Sequence, residues 1–351
     1  MLWLAVSTLT AMQFTSLIKA DPIIPEIVPM EHAYIRSNSN IDPQTLPIEL
    51  SGNVYVFEDN ISNYTIEIQK DNVMIDGNGF SLILSPLNEV WWEPKTGSPF
   101  IQISNRNNTI IKNIRFINNF RITDFFTSIR VENSSNVIIL QNTMSSGGLG
   151  ISMTSGTNCS IIGNEFTGNP NTVGFRIADS IFLNIKYNNI SSHFHEAEID
   201  NLKFSNISRN NITGNGGAGF LLTGNNFENQ IFKNNFVDNV FGLFYQGDPR
   251  ANFPSSTKNR VYNNYWHNNY QDIENISGDT ISGRDQSPLT SPISTVFDPS
   301  LFTLPSLTPA PSPEPKSTLE PFTTALVVGA SIASVAIISV GLLAYFKKRR
   351  R

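Results

Sequence analysis

Between residues 108 and 266 one short phrase keeps returning: one or two Asn just ahead of an apolar anchor. It reads Asn142-Thr143-Met144, Asn164-Glu165-Phe166, Asn188-Asn189-Ile190, Asn210-Asn211-Ile212 and Asn234-Asn235-Phe236. The anchors Met144, Phe166, Ile190, Ile212 and Phe236 are 22, 24, 22 and 24 residues apart. A fixed period of this size marks a solenoid. It is too short for paired-helix repeats, and each unit is built from Ile, Phe, Val and Asn. Strand formers in short runs broken by Asn and Gly read as strands and turns. The unit is therefore one coil of a parallel β-helix. Asn tolerates the left-handed backbone of tight turns. Coils stacked about 4.8 Å apart would also let equivalent amides hydrogen-bond along the stack. Asn142, Asn164, Asn188, Asn210 and Asn234 are expected to form such a ladder, with Asn78 and Asn263 as outlying members. That expectation is structural, not chemical.

A second register carries the same period. Ile129, Ile151, Phe175, Ala197, Phe220 and Leu243 recur at 22, 24, 22, 23 and 23 residues, each inside a short strand-like phrase. Side chains alternate across a strand, so these six point inward together with Val131, Met153, Ile177, Ile199, Leu222 and Tyr245. The residues between them then face outward in two rows. One reads Arg130, Ser152, Arg176, Glu198, Leu221, Phe244, and the other Glu132, Thr154, Ala178, Asp200, Thr223, Gln246.

The chain has 351 residues and 42 asparagines, with a net charge of −5. Setting aside the five basic residues 347–351 leaves 19 basic against 29 acidic side chains, or −10. An acidic body argues against a nucleic-acid partner. Cys159 is the only cysteine, so no internal disulfide can form.

In order, residues 1–20 read as an export signal, with an apolar run ending at Lys19-Ala20. Residues 21–50 read as an extended, Pro-punctuated cap over an otherwise open solenoid edge. Residues 51–299 hold the β-helix and its tail, interrupted at 85–99 and 247–257 by loops that either face a ligand or merely cover the coil. Residues 300–323 form a Pro/Ser/Thr-rich stalk. Residues 324–346 form a transmembrane helix: the 22 uncharged residues from 325 to 346 would span about 33 Å. The basic tail 347–351 follows, and cytoplasmic flanks carry the Lys/Arg excess. The expected arrangement is a single pass through the cell membrane, with the bulk of the chain outside and the C-terminus cytoplasmic.

The segment 71–80, the Asn-rich coils, and Asn263-Asn264-Tyr265-Trp266 followed by Asp285 and Ser287-Pro288-Leu289-Thr290-Ser291-Pro292 resemble the NosD-like family of right-handed parallel β-helices within the pectin-lyase-like superfamily. Ala33-Tyr34-Ile35-Arg36 and Gly52-Asn53-Val54-Tyr55 resemble the opening of archaeal members, and the stalk, apolar helix and basic end resemble archaeal surface anchors. The resemblance implies three activities. Polygalacturonases carry Asn-Thr-Asp, Asp-Asp, Gly-His-Gly and Arg-Ile-Lys motifs, which this sequence lacks. Pectate lyases hold Ca²⁺ between outward-facing Asp residues with an Arg base nearby; Glu198 and Asp200, with Arg176 one coil away, resemble that pattern. NosD-type proteins are linked to copper, which calls for soft or imidazole ligands. Four His, one Cys and six Met, two of them in the leader, are a thin supply.

From the residues alone, Arg130, Arg176, Glu198, Asp200 and Phe244 are candidate contacts for an extended glycan. Polar groups would fix hydroxyls and an aromatic face would stack on a ring. Arg176 and Glu198 have a simpler reading as a cross-strand pair. His193, His195, Glu196, Glu198 and Asp200 form the densest ionisable cluster, able in principle to do acid–base work or hold a hard cation, although the spacing matches no metal motif. Glu198, Asp200 and Arg176 are the catalytic candidates; His193, His195 and Glu196 are the metal candidates. Nine Asn-x-Ser/Thr sequons occur, a number chance nearly supplies in so Asn-rich a chain. Asn60 and Asn275 are the best placed for glycosylation. The sequence thus leads to an anchored surface β-helix that binds an extracellular polysaccharide or is purely structural. A polysaccharide lyase or hydrolase is the alternative, and copper handling a further one.

Overall fold

The computed structural model describes residues 30–85, 99–119, 126–145, 148–168, 172–192, 195–246, 256–257, 259–269, 271–275, 285, 287–305 and 307. The expected leader, transmembrane helix and basic tail lie outside these residues, as does most of both loops. No helix among the described residues is long and apolar enough to cross a membrane.

Each coil supplies one strand to each of three parallel sheets. Thr127–Glu132 joins sheet A, Ile138–Leu140 sheet B and Thr143–Ser145 sheet C, and the chain returns to sheet A at Leu149–Thr154. Among the described residues the sheets hold 11, 10 and 9 strands. The register follows the sequence period: Ile129 pairs with Ile151, Ile151 with Phe175, Phe175 with Ala197, Ala197 with Phe220 and Phe220 with Leu243. These six and their inward partners are all buried. Down the centre runs an aromatic column, Phe166, Phe175, Phe220, Phe236 and Trp266, with successive centroids 5.8, 6.3, 5.4 and 4.5 Å apart. Where sheet C turns into sheet A the backbones crowd together. A Cβ on Gly150 would sit 2.3 Å from the Gly174 carbonyl oxygen, so only glycine fits.

The expected amide ladder forms at the corner between sheets B and C. Asn142 Nδ2 donates to Asn164 Oδ1 at 3.1 Å, and the chain continues through Asn188, Asn210, Asn234 and Asn264 at 3.1, 2.9, 2.9 and 3.0 Å. The second hydrogen of each amide goes to a core carbonyl, such as Ile161 O from Asn188 at 2.9 Å. Each amide oxygen also accepts the backbone N–H of the neighbouring coil's ladder position. All six side chains are at most 1% exposed, and their polar groups are met.

Two details differ from expectation. The ladder asparagines are not the left-handed residues. That conformation falls one position earlier, on Gln141, Gly163, Tyr187, Arg209, Lys233 and Asn263, because the preceding residue makes the corner and leaves the amide free to point inward. For the same reason Asn264, not Asn263, is the ladder member. Asn78 is an exposed left-handed turn residue, and its coil meets the stack two positions later, where no amide is present. Further ladders run at the other corners. Asn215, Asn239 and Asn269 are joined at 2.7 and 3.0 Å. Ser205 N donates to Asn229 Oδ1, and Asn229 N to Asn259 Oδ1.

Both ends are closed by the chain itself. At the N-terminal edge, Glu31–Ile35 extends sheet A and folds back antiparallel with Ile41–Asp42, while Ile48–Ser51 pairs antiparallel with Val54–Phe57 on sheet B. Such hairpins shield exposed ladder groups. At the other end Asp285 occupies the next place in the amide ladder, accepting from Asn264 N, Asn264 Nδ2 and Trp266 Nε1 at 2.7, 3.1 and 3.1 Å. A carboxylate has no hydrogen to pass on, so the ladder stops there. The tail then runs back along the solenoid. The Asn235 amide exchanges two hydrogen bonds with the Ile293 backbone. Phe297 lies on Gly163, where even a Cβ would be 3.0 Å from the ring. Phe302, Leu304 and Leu307 pack on a second, outward-facing apolar cluster of Ile110, Ile138, Leu140 and Ile162. The described start of the Pro-rich stretch, through Leu307, therefore lies against sheet B.

Replacing Asn188 with Ala removes four buried hydrogen bonds, those from Asn164 N and Nδ2 and those to Ile161 O and Asn210 Oδ1, and leaves Asn164 N without its acceptor. A stranded group costs about 1–3 kcal/mol. Urea unfolding of Asn188→Ala is expected to show a midpoint far below that of the wild type, and an unchanged midpoint would refute the ladder's structural role.

Candidate functional site

The register lines up the outward residues of sheet A into one row across nine coils: Tyr34, Glu67, Gln102, Arg130, Ser152, Arg176, Glu198, Leu221 and Phe244. Beside it stand Ser104, Glu132, Thr154, Ala178, Asp200, Thr223 and Gln246. The structure thus brings Arg130, Arg176, Glu198, Asp200 and Phe244 onto one face. The row also reaches three coils further toward the N-terminus than the repeat spacing had shown, to Gln102, Glu67 and Tyr34, because the strands before residue 108 lack the Asn phrase.

Within the strip the groups are mutually engaged. Arg176 Nε donates to Glu198 Oε2 as an ion pair, the cross-strand reading, with side chains 54% and 23% exposed. A pair this open to solvent contributes at most about 1 kcal/mol. Glu132 Oε2 accepts from Gln102 Nε2 and Ser104 Oγ at 3.1 and 3.0 Å. Asp200 Oδ1 accepts from Thr223 Oγ1 at 3.3 Å, and Asn201 Nδ2 bridges to Asp179 Oδ1 at 2.9 Å. Burial pushes the Asp200 carboxyl above the usual carboxylate range; the Thr223 bond opposes this and the Asp179 charge adds to it. Phe244 stacks on Phe241, centroids 5.1 Å apart, so the strip ends in an aromatic pair of which sequence reading had found one member.

Glu196 stands at the backbone position that Gly174 and Gly219 occupy in the flanking coils. His195 and Glu196 lie on the strand His195–Asp200, but their side chains, and all of His193, are outside the described residues. Asn60 is exposed, and its Oδ1 accepts from Ser81 N at 2.8 Å. Asn275 ends the strand Gln271–Asn275, its side chain outside the description. Asn189 and Asn211 form an outer amide pair at 3.0 Å beside the buried ladder.

All-β coils with three parallel sheets and this register define a parallel β-helix. The family model described as periplasmic copper-binding protein (NosD) matches residues 57–258, and the chain belongs to the NosD family. No curated protein matches the chain in sequence. Among solved structures it is similar to the periplasmic alginate epimerase AlgG, at 12% identity and a TM-score of 0.35 over 69% of this chain and 78% of that one. It is similar to the catalytic domain of a GH87 alpha-1,3-glucanase in complex with nigerose, at 14% and 0.28 over 68% and 58%. A third similar structure is the Dettilon tailspike protein, at 10% and 0.32 over 65% and 62%. Nothing about this chain's chemistry follows from likenesses so distant.

The family description raises copper, whose sites draw on thiolate, thioether and imidazole groups. His32, stacked on Tyr34, and His267, stacked on Tyr265, belong to the first and last coils. Cys159 is enclosed in the core, and burial pushes its thiol up to about 11, so it offers no thiolate at neutral pH. Met144 and Met153 are core side chains, and the Met30 sulfur faces the Thr65 hydroxyl. No three His, Cys, Asp or Glu side chains converge among the described residues. These residues do not fit a copper ion.

The raised Asp200 value fixes a sign. Ionising this carboxyl costs more in the fold than in the unfolded chain, so its contribution to stability is present at low pH and lost as pH rises through the folded value. Asp200→Asn is expected to melt above the wild type at pH 7. The gap should close as pH falls through that value and vanish below 3.8, the ordinary value. A gap independent of pH would contradict the assignment.

Proposed function

We propose that this protein is a surface β-helix that binds an extracellular polysaccharide along the outer strip of sheet A, held at the membrane by residues 324–346 with the basic tail 347–351 inside. The carrying observation is the alignment of Glu67, Gln102, Arg130, Ser152, Arg176, Glu198 and Phe244 in a single row. A linear polymer repeats along its length as the coils repeat along theirs, so one strand can meet successive rungs. Hydroxyls would pair with the carboxylates, amides and guanidinium groups, and a ring would stack on the Phe241–Phe244 end. The outward, exposed Asn60 is the sequon this reading would expect to be glycosylated. The copper role in the family's description finds no support in the described donors.

A second reading, polysaccharide cleavage, draws on one observation: the raised Asp200 carboxyl beside Glu198. A carboxyl raised above its ordinary value is better suited to protonating a leaving group than an unshifted one, and Ca²⁺ would be the cofactor of a lyase of this kind.

Titration calorimetry of the full chain with uronate and neutral oligosaccharides is expected to show binding that Arg176→Ala with Glu198→Ala weakens by about tenfold or more. Binding untouched by that double change would place the ligand elsewhere. Release of product from uronate polymers, abolished by Asp200→Ala, would favour cleavage, with calcium addition and chelation as paired arms. Flat calorimetry throughout would leave a purely structural protein.

Deleting residues 324–351 is expected to move the protein from the membrane fraction to the soluble fraction. Retention in the membrane would count against the anchor.

A further inference from the structure

The turn between sheets A and B has a left-handed position just ahead of the sheet B strand. It is filled by Asn72, Asn108, Asn136 and Asn158, then by Phe182, Phe204 and Glu228. Asn accepts this backbone readily, whereas a bulky side chain is an outlier there. Yet Phe182 and Phe204 hold it at φ of 57° and 51° with 53% and 42% of their surfaces exposed. Their rings stack on each other at 5.5 Å and 24°, and Phe204 meets Phe227 edge-on. Among the described residues Phe182 has no ring partner on its other side. One coil below it stands only Asn158, at the equivalent position. An exposed aromatic at a strained position points from structure toward function.

The amides leading up to that open ring face line a groove of about 380 Å³, bounded by Asn108, Asn136, Asn158 and Ser160 and floored by Ile110 and Ile138, with Pro305 and Leu307 as the far wall. That volume falls within the range of ligand clefts, about 300–1,000 Å³. Asn108 Nδ2 donates to Asn72 Oδ1, Asn136 Nδ2 to Asn107 Oδ1 and Asn158 Nδ2 to Asn136 Oδ1. Each amide nitrogen carries two hydrogens, so one per residue remains for a ligand. None of the eight lining side chains ionises. A uronate or sulfated sugar would bring a charge that nothing there compensates. Amide donors at coil spacing, an aliphatic floor and an aromatic face at the end match the hydroxyls, the C–H faces and the repeat of an uncharged sugar chain.

We propose that this groove, extended by the Phe182 face, is a second saccharide site that takes a neutral oligosaccharide. It rests on the same reading of the protein as a glycan binder, but at a place separate from sheet A and with no ionisable side chain in its lining.

The test titrates the full-length protein with cellohexaose, laminarihexaose and mannohexaose, and with hexagalacturonate, across three variants. Phe182→Asn restores the residue of the preceding coils and is expected to fold at least as stably. It should weaken binding of a neutral hexasaccharide tenfold or more. Phe182→Trp, which keeps a platform, should retain binding, and Phe182→Asn should leave hexagalacturonate binding unchanged. If Phe182→Asn binds as the wild type does, or if no neutral hexasaccharide binds while hexagalacturonate binding still responds to the Arg176/Glu198 change, this site falls and the sheet A reading stands. If no saccharide binds at all, both fall.

Discussion

The buried amide ladder is the interaction the rest of this molecule depends on. Six asparagines sit in a hydrocarbon core with every donor and acceptor paired, each to the next coil and to a core carbonyl. In a low-dielectric interior an unmet amide is costly, and a fully met network is rigid and specific. The ladder therefore does more than fill a corner. It sets the register, because slipping any coil by one residue would pull an amide off its partners and turn the Ile129–Leu243 row outward. From that fixed register follow the aromatic column inside and the polar strip outside.

A solenoid built this way has two open ends and one long seam, and the chain deals with all three using its own segments. Hairpins close the start. At the finish Asp285 takes the ladder position with a group that accepts but cannot donate. The tail from Asp285 to Leu307 covers an apolar outer patch on sheet B that would otherwise be exposed. Over this patch Pro305 and Leu307 turn a flat sheet face into a groove.

Repetition also explains why the recognisable chemistry here is distributed and not concentrated. A catalytic pocket needs different groups converging on one point. Stacked coils instead give rows of similar groups at one spacing, suited to a ligand that itself repeats. Arg176 and Glu198 neutralise each other, Glu132 is held by Gln102 and Ser104, and the Asp200 carboxyl is raised by its surroundings. Among the described residues no three His, Cys, Asp or Glu side chains converge.

What could be read from the amino-acid order was what has a period. Asn142 to Asn234 and Ile129 to Leu243 recur every 22 to 24 residues, and a coil of constant length must stack equivalent positions. The fold, the inward rows, and the placement of Arg130, Arg176, Glu198, Asp200 and Phe244 on one face all follow from that count. What breaks the period was invisible until the chain folded. The ladder's last member is Asp285, 21 residues past Asn264 but in no repeat phrase. The left-handed residue is the one before each ladder Asn, a fact of corner geometry that residue type does not reveal. Phe182 and Phe204 read as ordinary apolar residues in sequence, and only the turn that lifts them out of the core makes them a surface. The tail's return over Ile110 and Ile138 joins residues some two hundred positions apart, and contacts of that range belong to tertiary structure because no local preference encodes them.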